Sequence, residues 1–116
     1  MSYHNQIIEV FSKQPELWCA DLGFLPETIR TSVSLSHVGD IDIIVANNFS
    51  RALIEVKSHP ALFQGFLANQ LGTYRAYDAM ADIFLLSGTA NKSLDPLKFT
   101  LRPVVVSQKL VYGMQE

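Results

Sequence analysis

The chain switches between two hydrophobic periods, and each switch marks an element. In residues 4–13, HNQIIEVFSK, Ile7, Ile8 and Phe11 fall on one side at helical spacing. Pro15 ends that helix and opens a short helical turn, PELWCADLGF, which closes at Gly23. Next comes TIRTSVSLS, alternating and rich in β-branched residues, which reads as a strand. Two further strands are expected at about 41–46 and 52–57, with NNFSR between them as a hairpin loop. Pro60 introduces a long helix over about 61–80. DIFLLSG is a continuous apolar run stopped by Gly88, the pattern of a buried strand. After the loop ANKSLDP, LRPVVVSQKLVYG supplies a last strand or pair of strands. The order α-β-β-β-α-β-β predicts an α/β layer fold on a mixed sheet.

Four charged residues interrupt the two central apolar strands: Asp40, Asp42, Glu55 and Lys57. Residues two apart in a strand share a face about 6.8 Å apart, so Asp40 and Asp42 point one way, as do Glu55 and Lys57. If the two strands pair, up to three carboxylates and one ammonium meet. Like charges so close repel unless a cation sits between them, and hard oxygen ligands suit magnesium or manganese. An adjacent ammonium can orient a water and stabilise negative charge on a phosphate. An isolated Glu-x-Lys in a strand is most often a solvent-facing pair. Here the strand is mostly apolar and an Asp precedes it at hairpin distance, which favours a phosphodiester-hydrolysis site.

The long helix adds a third piece. Phe63, Phe66, Leu67, Leu71, Tyr74 and Tyr77 form one broad apolar stripe, with Gln70 in its middle and Tyr74 one turn later. A core-facing glutamine needs partners for its amide, and the strand carboxylates can supply them. The back of the helix carries Gly65, Ala68, Gly72, Ala76 and Ala79 in one narrow arc. Two helical glycines cost ~1 kcal/mol each relative to alanine, so a close backbone contact is expected there. Either the first helix of the same chain or a second copy in a homodimer can provide it.

Composition narrows the setting. The 116 residues suit one domain, 48% are hydrophobic, and the single cysteine, Cys19, excludes a disulfide framework. There is no apolar run of membrane-span length and no signal-peptide pattern at MSYHNQ, so a cytoplasmic protein is expected. The net charge of −2 weighs mildly against nucleic acid, but it is uneven. Residues 1–58 hold seven acids and four bases, whereas residues 89–116 hold four bases and two acids. A bound cation among the N-terminal carboxylates would make the surface that a polyanion meets less negative.

Gly39-x-x-Asp42, Glu55-x-Lys57 and Gln70-x-x-x-Tyr74 together resemble the PD-(D/E)xK nucleases, and the last piece resembles their RecB-type branch. The resemblance covers about residues 35–90. It implies a restriction-endonuclease-like core and metal-dependent cleavage of DNA. It assigns Mg²⁺ or Mn²⁺ to Asp42 and Glu55, with Asp40 as the alternative first acid, and gives Lys57 the attacking water. Gln70 and Tyr74 would support the site or contact a DNA phosphate. Many relatives add a glutamate from the first helix, here Glu9, with Glu16 as its rival. The proline of the family signature is replaced by Ile41, and His37 and His59 flank the hairpin. The small stand-alone chain resembles Holliday-junction resolvases, whereas Gln70-x-x-x-Tyr74 resembles end-processing exonucleases. The competing functions are a non-catalytic nuclease-fold subunit that binds DNA or protein, and a phosphoesterase for small substrates.

Overall fold

The computed structural model describes residues 1–35 and 39–104. Helix α1 (Tyr3–Lys13) starts at Ser2, whose hydroxyl accepts the Asn5 N–H, and buries Tyr3, Ile7, Ile8 and Phe11. A 3₁₀ turn at Pro15–Trp18 leads into the short helix α2 (Cys19–Leu22), which Gly23 ends in the left-handed region at φ 85°. Trp18 stacks between Phe11 and Phe99, with ring centroids at 5.3 and 6.4 Å.

Five strands follow the expected order: β1 (Thr28–Leu35), β2 (Gly39–Ala46), β3 (Arg51–Lys57), β4 (Asp82–Ser87) and β5 (Thr100–Pro103). They lie side by side in chain order, antiparallel except for the parallel pair β3–β4. The chain is therefore α/β with a mixed sheet, as expected. Within the predicted terminal strand segment, residues 105–113 lie outside the described residues, as does His37.

The crossover between β3 and β4 departs from the single helix expected over 61–80. A 3₁₀ turn at Pro60–Leu62 precedes α3 (Phe63–Asn69), and α4 (Leu71–Tyr77) follows after a break at Gln70. Asp78 stops α4 by leaving helical geometry and accepting the Met80 and Ala81 N–H groups on its side chain. The interruption is local: the Gln70 N–H still donates to the Phe66 carbonyl at 2.8 Å and its carbonyl accepts the Tyr74 N–H at 3.2 Å. Phe63, Phe66 and Tyr74 are buried, but Leu67 and Tyr77 are exposed.

Each face of the sheet has its own core. The first packs Ile7, Phe11, Trp18 and Leu22 against Ile43, Val45, Ile54, Val56 and Leu86. The second packs Phe63, Phe66 and Tyr74 against Ile44, Leu53, Ile83 and Leu85. This three-layer arrangement overturns the expected contact between α1 and the small-residue arc of the crossover, because the sheet separates them. Gly65, Ala68, Gly72, Ala76 and Ala79 are all exposed, and a Cβ added at Gly65 or Gly72 would meet open space. Among the described residues, no helix is long and apolar enough to cross a membrane.

The β1–β2 ribbon turns over part-way along. Ile29 and its partner Val45 face the first core, whereas Val33 and its partner Ile41 face the second. Between them lies Ser32, with φ 51° in the left-handed region that non-glycine residues seldom enter.

The aromatic stack is what seats α1. Replacing Phe11, fully buried against Trp18, by Ala is expected to cost about 3–5 kcal/mol. That is a large share of the ~5–15 kcal/mol typical of a domain, so the urea midpoint should fall sharply. An unchanged midpoint would show that α1 is held some other way.

Candidate functional site

Strands β2 and β3 pair from the hairpin as far as Ile43–Ile54 and then separate. The next residues along each strand are Asp42 and Glu55, so the two carboxylates sit in the fork where backbone pairing stops. Asp42 fills the gap itself: its Oδ2 accepts the Val56 N–H at 2.8 Å. Both acids are buried, Glu55 to 4% exposure. Lys57 shares the Glu55 face and lies half-buried at the mouth, where its Nζ donates to Gln70 Oε1 at 3.2 Å.

Both helical layers reach the fork. From the crossover side, the Tyr74 hydroxyl accepts the Asp42 N–H at 3.4 Å, with its ring edge-on to Phe66. From the other side, His4 on α1 places Nε2 3.2 Å from Asp42 Oδ2, while its Nδ1 meets Asn5 Oδ1 at 3.1 Å. His4, Asp42 and Glu55 each offer one ligand atom, and these atoms lie within 4.8 Å of one another. One Glu55 oxygen, Oε2, is buried with no hydrogen-bond partner. Two carboxylates and an imidazole around an unsatisfied oxygen are a donor set that fits a divalent cation.

Proton affinities reflect the crowding. Burial pushes Glu55 up to about 8; the Asp42 carboxylate adds to this and Lys57 opposes it. For Asp42, burial is the largest single influence and works upward, yet the His4 ring, Glu55 and the Val56 N–H together outweigh it and hold it low. The hydrogen bond to Asp42 lifts His4 to about 9, against burial. Tyr74 is raised well above its usual range by burial and by the two carboxylates, so its phenol stays protonated.

Several sequence expectations need correction. Glu9 is exposed and pairs along its own helix with Lys13 at 2.7 Å; Glu16 is also exposed, so neither acid joins the fork. Asp40 is exposed too, and accepts the Ser34 hydroxyl at 3.1 Å. Gln70 does not face the core: it is exposed, with Lys57 rather than a carboxylate as its partner. Tyr74, 1% exposed, backs the carboxylates and has no surface to offer a DNA phosphate. His59 caps the 3₁₀ turn by accepting the Ala61 N–H. The overlooked member is His4. It falls at i, i+3, i+4 and i+7 with Ile7, Ile8 and Phe11, so the helical period already placed it on the inward face. No protein-family model matches the chain, and neither does any curated protein or solved structure.

Two measurements follow from this geometry. Calorimetric titration with Mn²⁺ should show affinity unchanged in Glu9→Ala and weakened by about tenfold or more in His4→Ala, because loss of a ligand should cost at least what loss of an outer-shell partner does; equal affinities in the two variants would remove His4 from the site. The second concerns pH. Folded Glu55 keeps its proton to about 8, whereas an ordinary glutamate releases it near 4.5. The folded state therefore binds the extra proton between those values, and stability falls as pH rises through them. His4 acts in the same direction, its contribution being lost between 6.5 and about 9. Without metal, the melting temperature should drop by several degrees from pH 5 to pH 9, less so in Glu55→Gln. A flat profile would show that neither Glu55 nor His4 holds its proton more tightly in the folded chain than an ordinary side chain does.

Proposed function

We propose that this chain is a metal-dependent nuclease of the PD-(D/E)xK type, with a restriction-endonuclease-like core, hydrolysing DNA phosphodiester bonds at the β2–β3 fork. The observation that carries the proposal is the buried, unpartnered Glu55 oxygen beside Asp42 and His4. Two buried acids this close are costly to ionise together unless a cation sits between them. His4, Asp42 and Glu55 would hold Mg²⁺ or Mn²⁺. When bound, the cation supplies concentrated positive charge toward a phosphoryl oxygen.

The chain's own residues do the rest. Lys57 stands at the mouth of the fork on the Glu55 face, where its ammonium can orient a water or meet the phosphate. The exposed Gln70 amide holds that ammonium in place and leaves its own N–H donors free for substrate. Tyr74, kept protonated, braces the Asp42 backbone from behind. The exposed small-residue arc on α3 and α4 leaves room for a second copy, as expected of a homodimer acting on two strands.

The test is cleavage of duplex, single-stranded, flap and four-way-junction DNA with Mg²⁺ and with Mn²⁺. Wild-type chain should cut at least one of these in a metal-dependent way. Glu55→Ala and Lys57→Ala should each lose activity by at least about a hundredfold, with folding and DNA binding retained. Full activity in Glu55→Ala, or no metal-stimulated cleavage of any substrate, would sink the proposal.

A further inference from the structure

His4 is the second residue of α1, in the turn where a helix lacks internal partners for its N–H groups and frays most readily. Its 3.2 Å contact with Asp42 needs that turn held still. The residue before it, Tyr3, is buried and reaches across to the segment after β4. There the Tyr3 hydroxyl donates to the Ser93 carbonyl at 2.6 Å and accepts the Thr89 N–H at 3.1 Å. Its ring lies flush on Gly88. A Cβ at that position would fall on the hydroxyl and 2.6 Å from Cε2 and Cζ, closer than real side chains approach.

The segment that grips Tyr3 is itself braced. The Thr89 hydroxyl accepts the Ser93 N–H at 3.1 Å and donates to Asn91 Oδ1 at 2.6 Å, closing the loop on itself. Its first residue is tied to the fork strand, since the Gly88 N–H donates to the Lys57 carbonyl at 3.2 Å. One short loop therefore touches β3 at Lys57 and, through Tyr3, the helix turn that carries His4.

We propose that Tyr3 and Gly88 form a positioning latch: the loop after β4 clamps the Tyr3 phenol so that His4 is delivered to the metal-binding side of Asp42. Tyr3 is a positioning residue, acting through His4, and Gly88 leaves room for the phenol, since a Cβ there would push the Tyr3 ring out of place. This inference rests on the proposed metal site and adds the device that assembles it.

The test is Mn²⁺ affinity measured calorimetrically on the full chain, combined in a double-mutant cycle. Tyr3→Phe keeps the ring but loses both hydroxyl bonds, and should weaken Mn²⁺ binding about tenfold, at the lower end of outer-shell effects. In a His4→Ala background the same change should have no further effect, because the residue it positions is gone. Gly88→Ala should weaken binding similarly, and its effect should vanish in a Tyr3→Leu background, where the shorter side chain clears the new methyl. Hydrogen exchange of the Asn5–Ile7 amides in the metal-free chain gives a second readout and should accelerate in Tyr3→Phe. Unchanged Mn²⁺ affinity in Tyr3→Phe, or an equal loss with and without His4, would overturn the latch while leaving the metal site standing. Wild-type chain whose Mn²⁺ binding is absent, or indifferent to Asp42 and Glu55, would overturn both.

Discussion

Two carboxylates share one buried fork, and most of the local architecture can be understood as a response to that crowding. Moving an ionised carboxylate out of water costs several kcal/mol, and a second one beside it adds repulsion. The protein divides the burden unequally. Asp42 receives the Val56 N–H and the His4 ring and stays ionised, whereas Glu55 keeps an oxygen without a partner and is driven to hold its proton. Unequal environments push the proton affinities of paired acids apart. The price is local stability, concentrated at the end of the sheet where the backbone ladder has already opened.

That opening has a structural origin. A regular hairpin would carry the β2–β3 ladder through Asp42 and Glu55, satisfying the backbone and leaving the side chains to one face. Instead the ribbon turns over at Ser32, the strands part after Ile43 and Ile54, and a side-chain oxygen takes the place of a backbone carbonyl on Val56. The gap lets residues from opposite faces of the sheet meet. Tyr74 reaches in from the crossover helices, and His4 from α1, although the sheet separates those layers elsewhere. A continuous ladder would have kept them apart.

Much of this was legible from local patterns. Charged residues at every second position within apolar strands identified Asp42, Glu55 and Lys57, because strand periodicity is short and insensitive to distant packing. The crossover was harder. A single helical period runs through Gln70 in the sequence, yet only part of its stripe is buried: Gln70 faces out to Lys57, and Leu67 and Tyr77 are exposed. On α1, the family resemblance pointed to Glu9, which lies opposite the apolar stripe and is exposed in the structure. The same stripe, extended one turn toward the N-terminus, ends at His4.

The amino-acid sequence by itself determined the succession of elements, the mixed α/β class and the three polar side chains carried by the central strands, since each follows from spacing over a few residues. Only the tertiary structure decided which helix faces which side of the sheet, where β2 leaves β3, and that a histidine and a tyrosine from opposite layers converge on one aspartate. Those outcomes depend on chain segments tens of residues apart competing for the same buried volume. Local periodicity carries no record of that competition.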